Sequence, residues 1–232
     1  SRTASLRLMP VYRPAPGHTL ELHYQWQVSD SPVENADARP VFPGRDRLFI
    51  GRRDRPDDDR RLLDLTSILE AEGSRTIHHR IDRLAYRHRA DWGSLTVGRE
   101  PVTWGNGLVF NPMDIFNPFA PTDVQRDYKQ GDDLVRLSVN PAEWNGGLEW
   151  QLLAVPRRDP ASGSFRAGSS SLALKAHAYG ASGEWDFLAA IHYEEAVWGI
   201  GYAGYLGEAV WRFDLVAGKT AFEEAFLGAV VN

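Results

Sequence analysis

Thr19-Leu20-Glu21-Leu22-His23-Tyr24-Gln25-Trp26-Gln27-Val28 is the stretch whose reading decides the fold class. Leu20, Leu22, Tyr24, Trp26 and Val28 take every second place, and Glu21, His23, Gln25 and Gln27 fill the places between. Side chains of an extended chain point alternately to two faces, so this order predicts a strand with one apolar and one polar face. Its length is about the ten residues that a tilted strand needs to cross an outer membrane. Ser5–Tyr12 precedes it through Pro14-Ala15-Pro16-Gly17, a turn signal, and the two are expected to form a hairpin.

The alternation returns along the chain. In Glu184–Glu194, Trp185, Phe187, Ala189, Ile191 and Tyr193 share a face, aromatic at both ends and aliphatic between. In Glu208–Gly218, Trp211, Phe213 and Leu215 alternate with Arg212 and Asp214. Ser171–Tyr179 sends Leu172, Leu174, Ala176 and Ala178 one way, and Lys175 and His177 the other. Leu62–Leu69, Arg80–Ala90, Gly93–Val102, Asp133–Asn140, Gly147–Val155, Ala196–Leu206 and Ala225–Val231 complete about eleven or twelve strands. Short links (Asp91-Trp92-Gly93, Asn140–Gly146, Ala181-Ser182-Gly183) alternate with long polar ones (Ser29–Arg47, Thr103–Asp132, Pro156–Gly168). This predicts a transmembrane antiparallel β-barrel, all-β, with short turns on one rim, long loops on the other, and apolar rows outward between aromatic ends. Arg52–Arg61 reads as a solvated mixed-charge loop.

Composition sets bounds on this reading. The 232 residues contain no cysteine, which suits an oxidising envelope compartment, and the formal net charge of −5 argues against a nucleic-acid partner. No apolar run reaches the roughly 18 residues of a membrane-spanning helix. A mean hydropathy of −0.39 still suits a barrel, in which only alternate strand residues are apolar. Residues 1–232 read as a single β-barrel domain. Ser1-Arg2-Thr3 carries no signal-peptide pattern, so any such segment is expected upstream or removed. The terminal apolar run ends without an aromatic residue, which leaves open a piece of a longer barrel.

The least ordinary segment runs from Gly98-Arg99 through Trp104-Gly105-Asn106-Gly107 to Asn111-Pro112-Met113-Asp114-Ile115-Phe116-Asn117-Pro118-Phe119, and on to Asp132-Asp133. It resembles porin-like proteins of Gram-negative outer membranes, in which a Trp-Gly-x-Gly turn leads into Asn-Pro-x-Asp-x-Phe-x-Pro and an Asp-rich return. The resemblance covers about 35 residues and implies a barrel with an ordered internal loop, without indicating a solute. From the residues themselves, Asn111 is placed to cap a helical turn that starts at Pro112 and stops at Pro118. Thr122 and Gln125 have capping-box spacing for a second short helix ending at Gly131. Trp104, Phe110, Phe116 and Phe119 make the connection too apolar for open water, so it is expected to fold into the barrel mouth or to pack on its rim. Gly105 and Gly107 lack the spacing and the lysine of a phosphate loop.

Arg83, Arg87 and Arg89 share parity in one strand, and Arg99 lies in the next. A row of arginines facing lipid is costly, so these are expected to line the lumen opposite Asp114, Asp123, Asp127, Asp132 and Asp133, or simply to hold the loop in place. His78 and His79 are adjacent and point apart, and His23, His88, His177 and His192 are isolated in sequence. No catalytic site, metal or cofactor is assigned. The reading is an outer-membrane channel that meets lipid and small solutes; its oligomeric state is not legible. Two other readings remain. An outer-membrane lipid hydrolase or protease would need a Ser-His or Asp-His constellation at the outer rim, and a soluble carbohydrate-binding β-sandwich would explain the alternation and the tryptophans alone.

Overall fold

The computed structural model describes residues 2–30, 58–72, 75–106, 111–116, 128–140, 147–219 and 225–231. Thirteen strands form one antiparallel sheet: β1 (Arg2–Leu8), β2 (Val11–Tyr12), β3 (His18–Asp30), β4 (Thr66–Glu72), β5 (Arg75–Ala90), β6 (Gly93–Glu100), β7 (Asp132–Val139), β8 (Leu148–Val155), β9 (Ser171–Tyr179), β10 (Gly183–His192), β11 (Glu195–Leu206), β12 (Ala209–Lys219) and β13 (Ala225–Val231). Pairing follows β1-β3-β5-β6 and then sequence order to β13, with β2 on β3 and β4 on β5. Among the described residues the sheet is open, with β1 and β13 as its edges. The all-β expectation holds.

Four local features depart from the sequence pattern. Pro10 lacks an N–H, and Ser5–Tyr12 divides there into β1 and β2. A bulge at Asp82 shifts the register so that His23 faces Arg83 while Tyr24 faces Ile81. It reverses parity along β5, which therefore begins at Arg75 although alternation suggested Arg80. Tyr193 does not extend the outer row of β10: with Glu194 it forms a two-residue turn at φ 53° and 68°. The helical turn expected after Asn111 is a tight turn closed by Asp114 N–H on the Asn111 carbonyl, at 3.1 Å.

The sheet is apolar on its exposed face and polar on its buried one. On β3, Leu20 and Trp26 are exposed whereas His23 and Gln25 are buried. On β10, Phe187 and Ile191 are exposed whereas Asp186 and His192 are buried. Trp198 at 62% and Leu227 at 72% exposure continue the apolar side onto β11 and β13. The one described apolar core lies on the opposite side, between the inner face of β7–β12 and the β6–β7 connection.

The apolar band runs diagonally. The row of Leu20 passes through Tyr86, Val97, Val135, Ala154, Leu172, Ile191 and Ala196 to Lys219. It opens the apolar face of β3, closes that of β10, and ends on a charge about eight residues beyond Trp211. That displacement over eight strand-to-strand steps, at about 3.3 Å per residue and about 4.8 Å per step, corresponds to strands tilted by about 35° to the band.

Gly98 holds φ +125°, and a Cβ there would lie 2.1 Å from the Leu84 carbonyl oxygen. Gly98→Ala is therefore expected to destabilise the sheet by about 1–3 kcal/mol. A denaturant titration that shows an unchanged midpoint would speak against that close approach.

Candidate functional site: the inner face and its docked loop

The described parts of the connection from β6 to β7 lie across the inner face and explain the unusual motif. Trp104 donates from Nε1 to Gln151 of β8 at 3.2 Å and stands edge-on to Phe116, with ring centroids 5.3 Å apart. Gly105 has φ +110°, and a Cβ there would meet the Asn111 and Asp214 side chains at 2.6 and 2.9 Å. Asn106 donates its backbone N–H to Asp214 at 2.7 Å and its amide to Asp186 at 3.1 Å. Met113 is fully buried against Gly199 and Gly201 of β11, and a Cβ at Gly201 would lie 2.5 Å from the Asp214 carboxylate and 3.1 Å from the Met113 sulfur. Pro112 reaches Gly228 of β13. Gly107, Pro118, Asp123 and Asp127, with Phe110, Phe119 and the second expected helix before residue 128, lie outside the described residues.

A buried ion pair staples the two arms of this loop. Lys129 Nζ lies 2.6 Å from both Asp114 oxygens and also donates to the Val102 carbonyl. Burial raises the Asp114 carboxyl to about 6 against the pull of Lys129, and burial also lowers Lys129. Desolvation thus opposes both charges, and the pair stays favourable only while both partners are present. The return arm docks on the other wall. Tyr128 lies under the Arg7 guanidinium, 3.6 Å from the ring centroid, with Arg83 at 5.1 Å, and its hydroxyl meets His23 Nδ1. Burial raises the Tyr128 phenol to about 12.

The expected arginine row is divided. Arg83 is on the inner face, paired with Glu21 at 3.1 Å. Arg87 binds Glu100, which also takes Arg136 at 2.7 Å. Neither pairs with Asp114. Arg89, near the end of β5, is exposed. Arg99 does not share the face of Arg87, because it stands opposite Leu84 in the register. It is nevertheless only 2% exposed, because residues 58–65 cover it. Its guanidinium reaches Asp133 at 2.8 and 3.1 Å, Asp58 at 3.0 Å and the carbonyls of Leu63 and Ile81. Asp58 also takes Arg61 at 2.7 Å, so this end of the stretch read as solvated is a buried anchor. Burial acts to raise the Asp58 carboxyl, but the Arg99 and Arg61 guanidiniums outweigh it and hold it below the usual range. Asp132, beside Asp133, pairs with Arg157 at 2.7 Å.

Compared with known proteins, the chain matches no family model, no curated protein and no solved structure. The inner face must therefore be judged on its own chemistry. Ser171 and His192 do meet, Oγ to Nδ1 at 2.8 Å. The same Oγ accepts from Arg157 at 2.7 Å, and the His192 ring lies against Phe116. The pair belongs to a buried chain from Asp132 through Arg157, closed off beneath the loop. No group of three or more His, Asp or Glu among the described residues has the geometry of a metal site. The crevice between Asp58, Arg80, Asp82, Arg99 and Gly131 is too narrow for a solute. The face thus supplies ordered charge and a docked loop. Sequence reading missed Asn106, Tyr128 and Lys129 as anchors; Asp186 and Asp214 carried a signal, being acids on the inward places of aromatic-rich strands.

Lys129→Met should leave the Asp114 carboxylate buried without its partner, costing about 3–5 kcal/mol of docking. Faster amide exchange at Asn106 and Asp114 is the expected readout. Acid should act on the other anchor. The lowered Asp58 contributes stability that is present above its unfolded value of about 3.9 and lost as pH falls through its folded value. The amide of Leu65, which donates to Asp58, should lose protection only below about pH 4, after correction for intrinsic exchange.

Proposed function

We propose that the chain forms the wall of an outer-membrane β-barrel of the porin-like type, with the β6–β7 loop docked on its lumen side and small solutes passing beside it. The observation that carries this reading is the inverted distribution of side chains: the face bearing Glu21, Arg83, Arg87, Glu100, Asp186 and Asp214 is the internal one, and the face bearing Leu20, Phe187, Trp198 and Leu215 is open. A protein in water seldom exposes a contiguous apolar surface of more than a few hundred Å². Lipid removes that cost. The diagonal course of the band supports the same reading, since strands of membrane barrels tilt by roughly 35–45°. So does the ring cluster of Trp185, Tyr202 and Phe213 at one border, with centroids 4.7 to 5.9 Å apart. The turns at 91–92, 181–182 and 207–208 share one rim, and the longer connections 101–131 and 156–170 share the other with the two-residue turn at 193–194. Eleven strands on the pairing path leave β1 and β13 running the same way, so antiparallel closure of the ring takes an odd number of further strands.

Reconstitution in a planar bilayer tests the proposal. Stepwise conductance across a panel of small solutes is expected, and a chain that stays soluble without detergent and conducts nothing would overturn it. Phe187→Arg, which places a charge in the apolar band, should reduce membrane assembly by the equivalent of about 2–4 kcal/mol. Arg87→Ala leaves Glu100 with Arg136 alone, and the reversal potential in a salt gradient should move toward cation preference.

A further inference from the structure

His18 and His88 stand directly opposite each other on β3 and β5. The adjoining bond from Arg89 N–H to the Gly17 carbonyl, at 2.7 Å, marks theirs as a non-hydrogen-bonded pair. In such pairs the facing side chains approach most closely, with Cα atoms about 4.5 Å apart. The two imidazoles lie with ring centroids 4.6 Å apart and 35° between their planes. His18 Nδ1 is 2.7 Å from the Tyr86 hydroxyl. His88 Nδ1 is buried and has no hydrogen-bond partner. Both residues share the outer face with Leu20 and Tyr86, one row beyond the point where the apolar band begins on these strands.

We propose that His18 and His88 form a binding site for a first-row divalent transition-metal ion such as Zn2+ or Cu2+, one imidazole nitrogen coming from each strand and water completing the coordination. Imidazole suits these ions, whereas Mg2+ and Ca2+ require oxygen donors. No carboxylate stands at the paired or adjoining outer positions, which are Leu20, Tyr86, Leu95 and Val97. The ladder sets the separation of the two rings before any ion arrives, so little chain entropy opposes binding. The Tyr86 hydroxyl is placed to fix the tautomer and orientation of His18, as partners behind ligating histidines commonly do. Sequence reading assigned no metal because it treated His88 as isolated and could not see His18 across the long β3–β5 connection. A bound ion would tie the two strands where the β3–β5 ladder starts, and the site does not depend on the channel reading.

Titrating ZnCl2 into the full chain, folded in detergent, should give one site per chain by calorimetry. His18→Ala and His88→Ala should each abolish it while keeping the melting temperature of the metal-free protein. Tyr86→Phe should retain the stoichiometry and weaken affinity by about tenfold. Electron paramagnetic resonance of the unaltered chain with equimolar Cu2+ should show two nitrogen ligands, a readout that needs no variant. Absence of binding, fewer than two nitrogens, or Zn2+ retained by the double His18→Ala/His88→Ala variant would each overturn the assignment.

Discussion

Charge carried on an enclosed face must be neutralised within that face, and this requirement organises the molecule. A carboxylate or guanidinium removed from water costs several kcal/mol unless it is paired and hydrogen-bonded. The sheet meets the requirement with cross-strand ladders: Glu21 with Arg83, Glu100 with Arg87 and Arg136, Lys175 with Asp186. These ladders also fix the register. A slip of one residue between β5 and β6 would bring Tyr86 to face Thr96 and move Arg87 away from it, carrying charges to the open face. Pairing therefore contributes more to specificity than to net stability, since an apolar inner face of the same shape could be equally stable.

Loop docking follows from how that face is divided. Along β8–β12 the inward places include Leu153, Val155, Ala173, Leu188, Ala190, Val197 and Val216, an apolar strip set among charges. Val102, Trp104, Met113, Ile115 and Phe116 cover it, and their burial supplies the loop's hydrophobic attachment at roughly 25 cal/mol per Å². Along β1–β5 the inward places are charged, and there the loop presents Tyr128, whose ring accepts Arg7 and whose hydroxyl meets His23. Lys129 and Asp114 join the two regimes. Both arms are held by different chemistry, so a single substitution should loosen one arm without freeing the other.

Period-two alternation was legible wherever nothing interrupted it, as in Leu20–Val28, Trp185–Ile191 and Leu172–Ala178. What escaped it were single-residue irregularities with large consequences. The bulge at Asp82 places Arg80 and His78 inward beside Gln25 and Gln27, so the even-numbered half of β5 did not look like part of the same strand. Arg99 keeps the outward place that parity gives it, and what hides it is the cover of Asp58 and Leu63, more than thirty residues away in sequence. Pro112 looked like a helix start because helix starts and tight turns use the same residues; the backbone of Asn111–Asp114 closes a turn instead. Trp104 and Phe116 suited the docking seen for the described loop residues, but the partners of Asn106, Asp186 and Asp214, lie far away in sequence. Such pairings are set by topology, and no local pattern encodes them.

The unequal lengths of β5 and β6 explain the one cluster that parity seems to misplace. Arg99 and Asp133 occupy the outward place next after Val97 and Val135, where a membrane wall would incur a heavy penalty. In the same row, β5 and β3 still carry Leu84 and Leu22. The border of the band therefore passes between β5 and β6 at this level, where β6 ends at Glu100 and β4 replaces it as the partner of β5. Residues 58–65 then close over the rim side of that border. They bring the Asp58 carboxylate and the Leu63 carbonyl to the guanidinium, while Arg61 bonds the Gly131 carbonyl just before β7. Burial of Arg99 thus follows from unequal strand lengths: β6 and β7 end here while β5 continues against β4, and the chain that leads into β4 covers the charges they present.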